Sequence, residues 1–121
     1  MLKLSGLVKK EQFEFTDTDG TTHKLEVCEY TIADVKKLID IQQPIIAAKD
    51  MSIADQSEMI IGSRIVCAIK FQDKNDYFWN TVEDLTTKGY PNGLVNTLYP
   101  IVNKLNPIDV ADTLEEKKTD S

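Results

Sequence analysis

The spacing of apolar residues changes character along the chain. Between residues 12 and 28 it alternates: Phe13 and Phe15 stand between Gln12 and Glu14, and Leu25 and Val27 stand between Lys24, Glu26 and Cys28. Alternation of this kind predicts half-buried strands. Asp19-Gly20 lies between the two runs and supplies turn chemistry, so residues 8–30 read as a β-hairpin. Register follows from which side chains share a face. A two-residue Asp19-Gly20 loop sets Phe15 against Lys24 and Phe13 against Glu26, which mixes apolar with charged. A three-residue loop, Thr18-Asp19-Gly20 with Gly20 left-handed, sets Phe13 against Leu25, Phe15 against His23 and Glu14 against Lys24. The second register is preferred. Leu2 to Leu7 either adds a weak strand or lies loose. A two-stranded hairpin is marginal by itself and needs a surface to pack on.

From residue 31 onward the spacing becomes helical. Thr31-Ile32-Ala33-Asp34 and Ser52-Ile53-Ala54-Asp55 each place a carboxylate three residues after a hydroxyl, a capping-box pattern with Asp in place of Glu. The first helix carries Val35, Leu38, Ile39, Ile45 and Ile46, and Pro44 is expected to break or kink it. The second is predicted from about Ile53 to Phe71. Ile61, Ile65 and Ile69 form its ridge, and Val66, Cys67 and Ala68 fill the flanks. Its C-terminal half is apolar on nearly every side, which predicts the most buried element of the fold.

A charged turn, Gln72 to Asp76, leads to Tyr77-Phe78-Trp79, which reads as an aromatic plug. Asn80-Thr81-Val82-Glu83 is a further capping box, opening a short helix that Gly89 closes. After Pro91-Asn92-Gly93 the last core helix shows the stripe Leu94, Val95, Leu98, Ile101, Val102 and Leu105, with a kink expected at Pro100. Asn106-Pro107 with Asp109 begins a final turn, and the chain from Asp112 is charged. The expected architecture is one α+β domain over residues 1–111. It has an N-terminal antiparallel hairpin of two or three strands packed on about four α-helices, and a flexible charged tail at 112–121.

Composition narrows the function classes. With 121 residues, 41% hydrophobic and 28% charged, the chain is ordinary for a globular domain and large enough for a core without staples. No apolar stretch approaches the ~18 residues of a membrane span. Met1-Leu2-Lys3-Leu4 is interrupted too soon for a signal peptide, so the expected location is the cytoplasm. The net charge is −6 and Arg64 is the sole arginine, a poor basis for neutralising phosphates or reading bases. Lys3, Lys9 and Lys10 are too few to change that. Cys28 and Cys67 sit in apolar surroundings and read as two buried thiols.

Candidate chemistry is sparse. Asp17-x-Asp19-Gly20 with Glu26 echoes part of a calcium loop, but Phe15 would occupy its first position and the flanks are strands. His23 and Cys28 are five apart on one strand and point to opposite faces. Cys67 can meet His23 only through the fold, with no third orienting group in evidence. No glycine loop is built to cradle phosphate. No catalytic, cofactor-binding or metal-ligating residue is therefore expected. Arg64, inside an apolar helix, reads as an ion pair or carbonyl clamp in the core, or as a partner contact. The last-helix stripe reads as core, or as a surface for another helix. The candidates for contact with a partner are Arg64, Phe78, Trp79, Leu94, Leu98 and Ile101.

From Val8 to Asp109 the order of features resembles the tail assembly chaperones of long-tailed bacteriophages and prophages. Val8-Lys9-Lys10-Glu11 is similar to the family's opening, and Glu29-Tyr30-Thr31 sits where its members leave the sheet. The strongest likeness is Ser63-Arg64-Ile65-Val66-Cys67-Ala68-Ile69, a short acidic turn, then Phe78-Trp79-Asn80-Thr81-Val82-Glu83-Asp84-Leu85. Asp73-Lys74-Asn75-Asp76 lacks the glycine of the family's turn, and Val102-Asn103-Lys104-Leu105-Asn106 lacks the glycine of its finish. The resemblance implies a non-enzymatic protein of the host bacterial cytoplasm, with no cofactor and no place in the mature virion. Its implied partners are the tape measure protein and the tail tube protein. The alternative is a tail-completion or connector subunit that stays in the virion. A homo-oligomer is open to such a domain, because the hairpin leaves a sheet edge that can pair between copies.

Overall fold

The hairpin forms in the predicted register. In the computed structural model, which describes residues 1–108, β1 (Lys10–Thr16) and β2 (Thr22–Cys28) pair antiparallel. Phe13 stands opposite Leu25, Glu14 opposite Lys24 and Phe15 opposite His23. The turn closes through the Gly20 amide on the Asp17 carbonyl at 2.9 Å, with Gly20 at φ +87. That left-handed backbone is the conformation a three-residue loop requires, and glycine meets it without a Cβ penalty. The turn expected at Asp109 and the tail from Asp112 lie outside the described residues.

The second helix is shorter than its apolar run suggests. The helices α1 (Ile32–Ala47) and α2 (Ile53–Val66) follow the hairpin, but the chain then turns at Cys67-Ala68 and forms β3, Ile69–Phe71. The expectation of helix to Phe71 is corrected. An all-apolar run has no period to separate a buried helix from a buried strand. The inner edge of β2 decides it: the Cys28 amide donates to the Ala68 carbonyl at 2.8 Å and the Gln72 amide to Lys24 at 3.1 Å. The sheet order is β1-β2-β3. The third strand is thus Ile69–Phe71, while Leu2, Leu4 and Leu7 are exposed outside any strand. The burial expectation holds, since Ile65 to Ile69 have no solvent exposure.

Capping sets the remaining boundaries. Thr31 and Asp34 make the predicted reciprocal box, and Ser52 accepts from the Asp55 amide. At α3 (Val82–Thr86) the box is Thr81 with Asp84, one residue later than Asn80 with Glu83. The pattern fits both frames, and the later one turns Val82 and Leu85 into the core. The last helix, α4 (Asn92–Leu105), runs on through Pro100, as α1 does through Pro44. Gly62 allows α2 and α3 to approach closely, because a Cβ there would meet Val82 Cγ1 at 2.9 Å.

One side of the sheet carries Phe13, Leu25, Val27 and Ile69 and meets the helices, with Leu98 and Val102 of α4 in the same core. Edge protection is uneven. The outer edge of β3 is closed by Phe71 N donating to Asp76 O (3.1 Å) and Phe78 N to Ile69 O (3.2 Å). The outer edge of β1 pairs with nothing among the described residues. Lys10, Gln12 and Glu14 lie along it, the polar guard typical of an edge strand. No helix among the described residues is long and apolar enough to cross a membrane.

Candidate functional site

The open side of β1 and the exposed flank of α4 enclose an apolar concavity. Leu94, Leu98 and Ile101 fall on one face of α4 at helical spacing, and Phe13 and Phe15 face them from β1. The groove between them has a volume of about 620 Å³, with Glu14, Thr16 and Thr97 along its rim. Its floor is Leu98, which is 3% exposed; Leu94 and Ile101 are half-buried on the walls. The last-helix stripe is therefore both core and groove. Val102 and Leu98 turn inward, while Leu94 and Ile101 are left within reach of a partner.

An aromatic cluster fixes the end of this groove. Phe15 meets Phe78, Trp79 and Tyr90 edge-on, at centroid distances of 5.7, 5.7 and 5.5 Å. Edge-to-face contacts at this range are the preferred aromatic geometry. Trp79 Nε1 donates to the Tyr90 hydroxyl at 3.3 Å, and that hydroxyl donates to Asp17 Oδ1 at 2.9 Å. The chain of bonds ties the plug to the hairpin turn. Burial pushes the Tyr90 hydroxyl above its ordinary range. At Asp17, burial opposes ionisation but is outweighed by the bonds from the Thr18 amide and from Tyr90, so its pKa falls. Asp17 and Asp19 act as turn caps, Asp19 Oδ1 accepting from the Thr21 amide at 2.9 Å. Among the described residues no group of three or more His, Cys, Asp or Glu is placed to hold a metal.

Of the six candidate contact residues, the groove collects Leu94, Leu98 and Ile101. Trp79, 2% exposed, and half-buried Phe78 lie behind it as supports. Arg64 lies elsewhere. Its Nη2 donates to the Asn106 carbonyl at 2.8 Å and to Asn103 Oδ1 at 3.1 Å, which makes it the carbonyl clamp at the end of α4. Asn106 completes the knot: its side chain accepts from the Tyr30 amide at 2.7 Å and donates to the Cys28 carbonyl at 3.1 Å. Tyr30 in turn donates its hydroxyl to the Arg64 carbonyl at 2.6 Å. These bonds fasten the end of β2 to α2 and to the C-terminal end of α4.

A second polar centre escapes sequence reasoning. Asp34, 1% exposed, serves as more than a cap. Its Oδ2 accepts from Lys70 Nζ at 3.0 Å and from the Thr31 amide at 2.9 Å, and its Oδ1 accepts from the Tyr77 hydroxyl. Burial opposes ionisation of Asp34, yet these donors outweigh it and hold the carboxyl below its usual range. The partners lie 36 and 43 residues along the chain, beyond what the capping pattern at Thr31-Asp34 indicates.

The two thiols are buried and the histidine packs against an aromatic ring. Burial pushes Cys28 and Cys67 each up to about 11, so both stay protonated at neutral pH. Both are free. His23 packs its ring 4.8 Å from Phe78. Compared with known protein families, with curated proteins and with solved structures, the chain matches none of them.

Proposed function

We propose that the protein is a tail assembly chaperone of a long-tailed phage or prophage. In this reading it holds apolar helical stretches of the tape measure protein and assists tail tube subunits to polymerise around them. It acts without catalysis or cofactor, in the host bacterial cytoplasm, and leaves before the virion is complete. The observation that carries the reading is the groove between β1 and α4. It is apolar, about 620 Å³ in volume, and walled by Leu94 and Ile101 on a helix that the Arg64–Asn106 clamp holds in place. A partner helix can lay an apolar face into such a groove at turn spacing. The acidic charge of −6 keeps a holding protein soluble while its cargo is covered.

Co-expression with the tape measure protein tests this. The soluble fraction of that partner should rise several-fold with the wild-type chain. It should fall back with Leu94→Asp/Ile101→Asp, provided circular dichroism shows the variant folded. No rise with the wild-type chain, and no co-purification, overturns the proposal. Mass spectrometry of purified particles separates the alternative, because an abundant virion component would be a completion or connector subunit.

A further inference from the structure

The helix α1 carries two apolar stripes where a helix on the outside of a domain needs one. Asp34, Leu38, Ile41 and Ile45 face the protein's own interior. Ile32, Val35, Ile39 and Ile46 form a second stripe, about 120° around the helix at ~100° per residue. That second stripe is covered by nothing among the described residues: Ile32 is 93% exposed, Val35 42%, Ile39 48% and Ile46 69%. The exposure continues past the helix, since Ile53 is 82% exposed beside an apolar cleft shared with Ile60 and Ile61. Scattered exposed aliphatics need no explanation, but a contiguous row marks an interaction surface.

The spacing of the row says what kind of surface it is. From Ile32 the steps are three, four and seven residues, the a and d positions of a helix that packs knobs into holes against another. The row spans ~21 Å at the rise of an α-helix. Charge flanks it on one side only. Exposed Lys36 and Asp40 lie there, one turn apart, and the other flank is the buried Leu38 and Ile45.

We infer that α1 is the contact helix of a homodimer, antiparallel to its copy about a twofold axis beside Ile39. That axis sets Ile32 of each protomer against Ile46 of its partner and Ile39 against Ile39. It also brings the two charged flanks together. Lys36 of one protomer then stands about two residues, or ~3 Å along the axis, from Asp40 of its partner, and the pair occurs twice. A parallel pair sets each Lys36 toward the Leu38 flank instead, where no acid awaits it. The charge pattern thus selects a second copy, and it selects the antiparallel one.

The inference stands independently of the groove and of the proposed function. Sedimentation equilibrium of the full chain tests it. The wild type should be a dimer, and Ile39→Lys should raise its dissociation constant roughly 30-fold or more, the scale of losing a central apolar anchor. Lys36→Glu and Asp40→Lys, both at exposed positions, should each weaken the dimer roughly fivefold. Lys36→Glu/Asp40→Lys together should restore it, because the cross-pairs re-form with reversed sign. A wild type that stays monomeric at millimolar concentration overturns the inference. So does a dimer indifferent to Ile39→Lys, and so does a double variant weaker than either single one, which would point to a parallel pair or another face. A monomer whose binding to a helical partner is lost with Ile39→Lys would assign the stripe to that partner instead.

Discussion

Asp34→Ala will destabilise the protein by roughly 3–5 kcal/mol, the cost of removing one member of a buried ion pair. The substitution strips Lys70, itself 8% exposed, of its carboxylate, leaves the Tyr77 hydroxyl without its acceptor, and removes the side-chain half of the α1 capping box, the bond from the Thr31 amide. Urea denaturation measures the loss as a fall in midpoint. The sign of the pH dependence follows from the same contacts. The Asp34 carboxyl is held below its ordinary range in the folded state. Its stabilisation is therefore fully present above its unfolded value of about 3.9, and is lost as pH falls through the lower folded value. Wild-type stability should drop below about pH 4 more steeply than that of Asp34→Ala, which has no such group to protonate. Equal acid slopes would deny Asp34 this role.

Trp79→Ala should cost about 3–5 kcal/mol, the range for truncating a buried aromatic residue. Trp79 is 2% exposed and touches Phe15, Phe78 and Tyr90 at once. Its loss opens a cavity behind the groove and also removes the donor that orients the Tyr90 hydroxyl. Trp79→Phe keeps an aromatic ring there and should cost less than half as much. Trp79 is the only tryptophan, so its emission follows the wild-type transition directly, and circular dichroism follows both variants. An alanine variant as stable as wild type would mean that the plug is not part of the core.

Local chemistry was legible wherever neighbours in sequence decide the structure. Facing side chains chose the hairpin register, and Gly20 met the left-handed turn that the register demanded. Thr31 and Asp34 announced a helix start that formed as read. The stripe of α4 named three residues that do line one groove, Leu94, Leu98 and Ile101. The opposite wall was beyond reach, because Phe13 and Phe15 reach it only once β1 lies beside α4. The strand Ile69–Phe71 is hidden in an apolar run, since buried strand and buried helix look alike without polar residues to mark a period. Arg64 was legible as an oddity, but its clamp on Asn106 spans 42 residues of chain. Asp34 likewise finds Lys70 and Tyr77 only in three dimensions, 36 and 43 residues away.

The apolar run from Ile60 to Phe71 divides into parts. It contributes a helix end, a clamp and a third strand, and none of it lines the groove.

Amide hydrogen exchange of the chain, free and bound to the tape measure protein, tests the central claim most directly. The account predicts slower exchange in the complex along β1 at Phe13–Phe15 and along the first two turns of α4 from Leu94. A complex that forms while those amides exchange as they do in the free protein would contradict it.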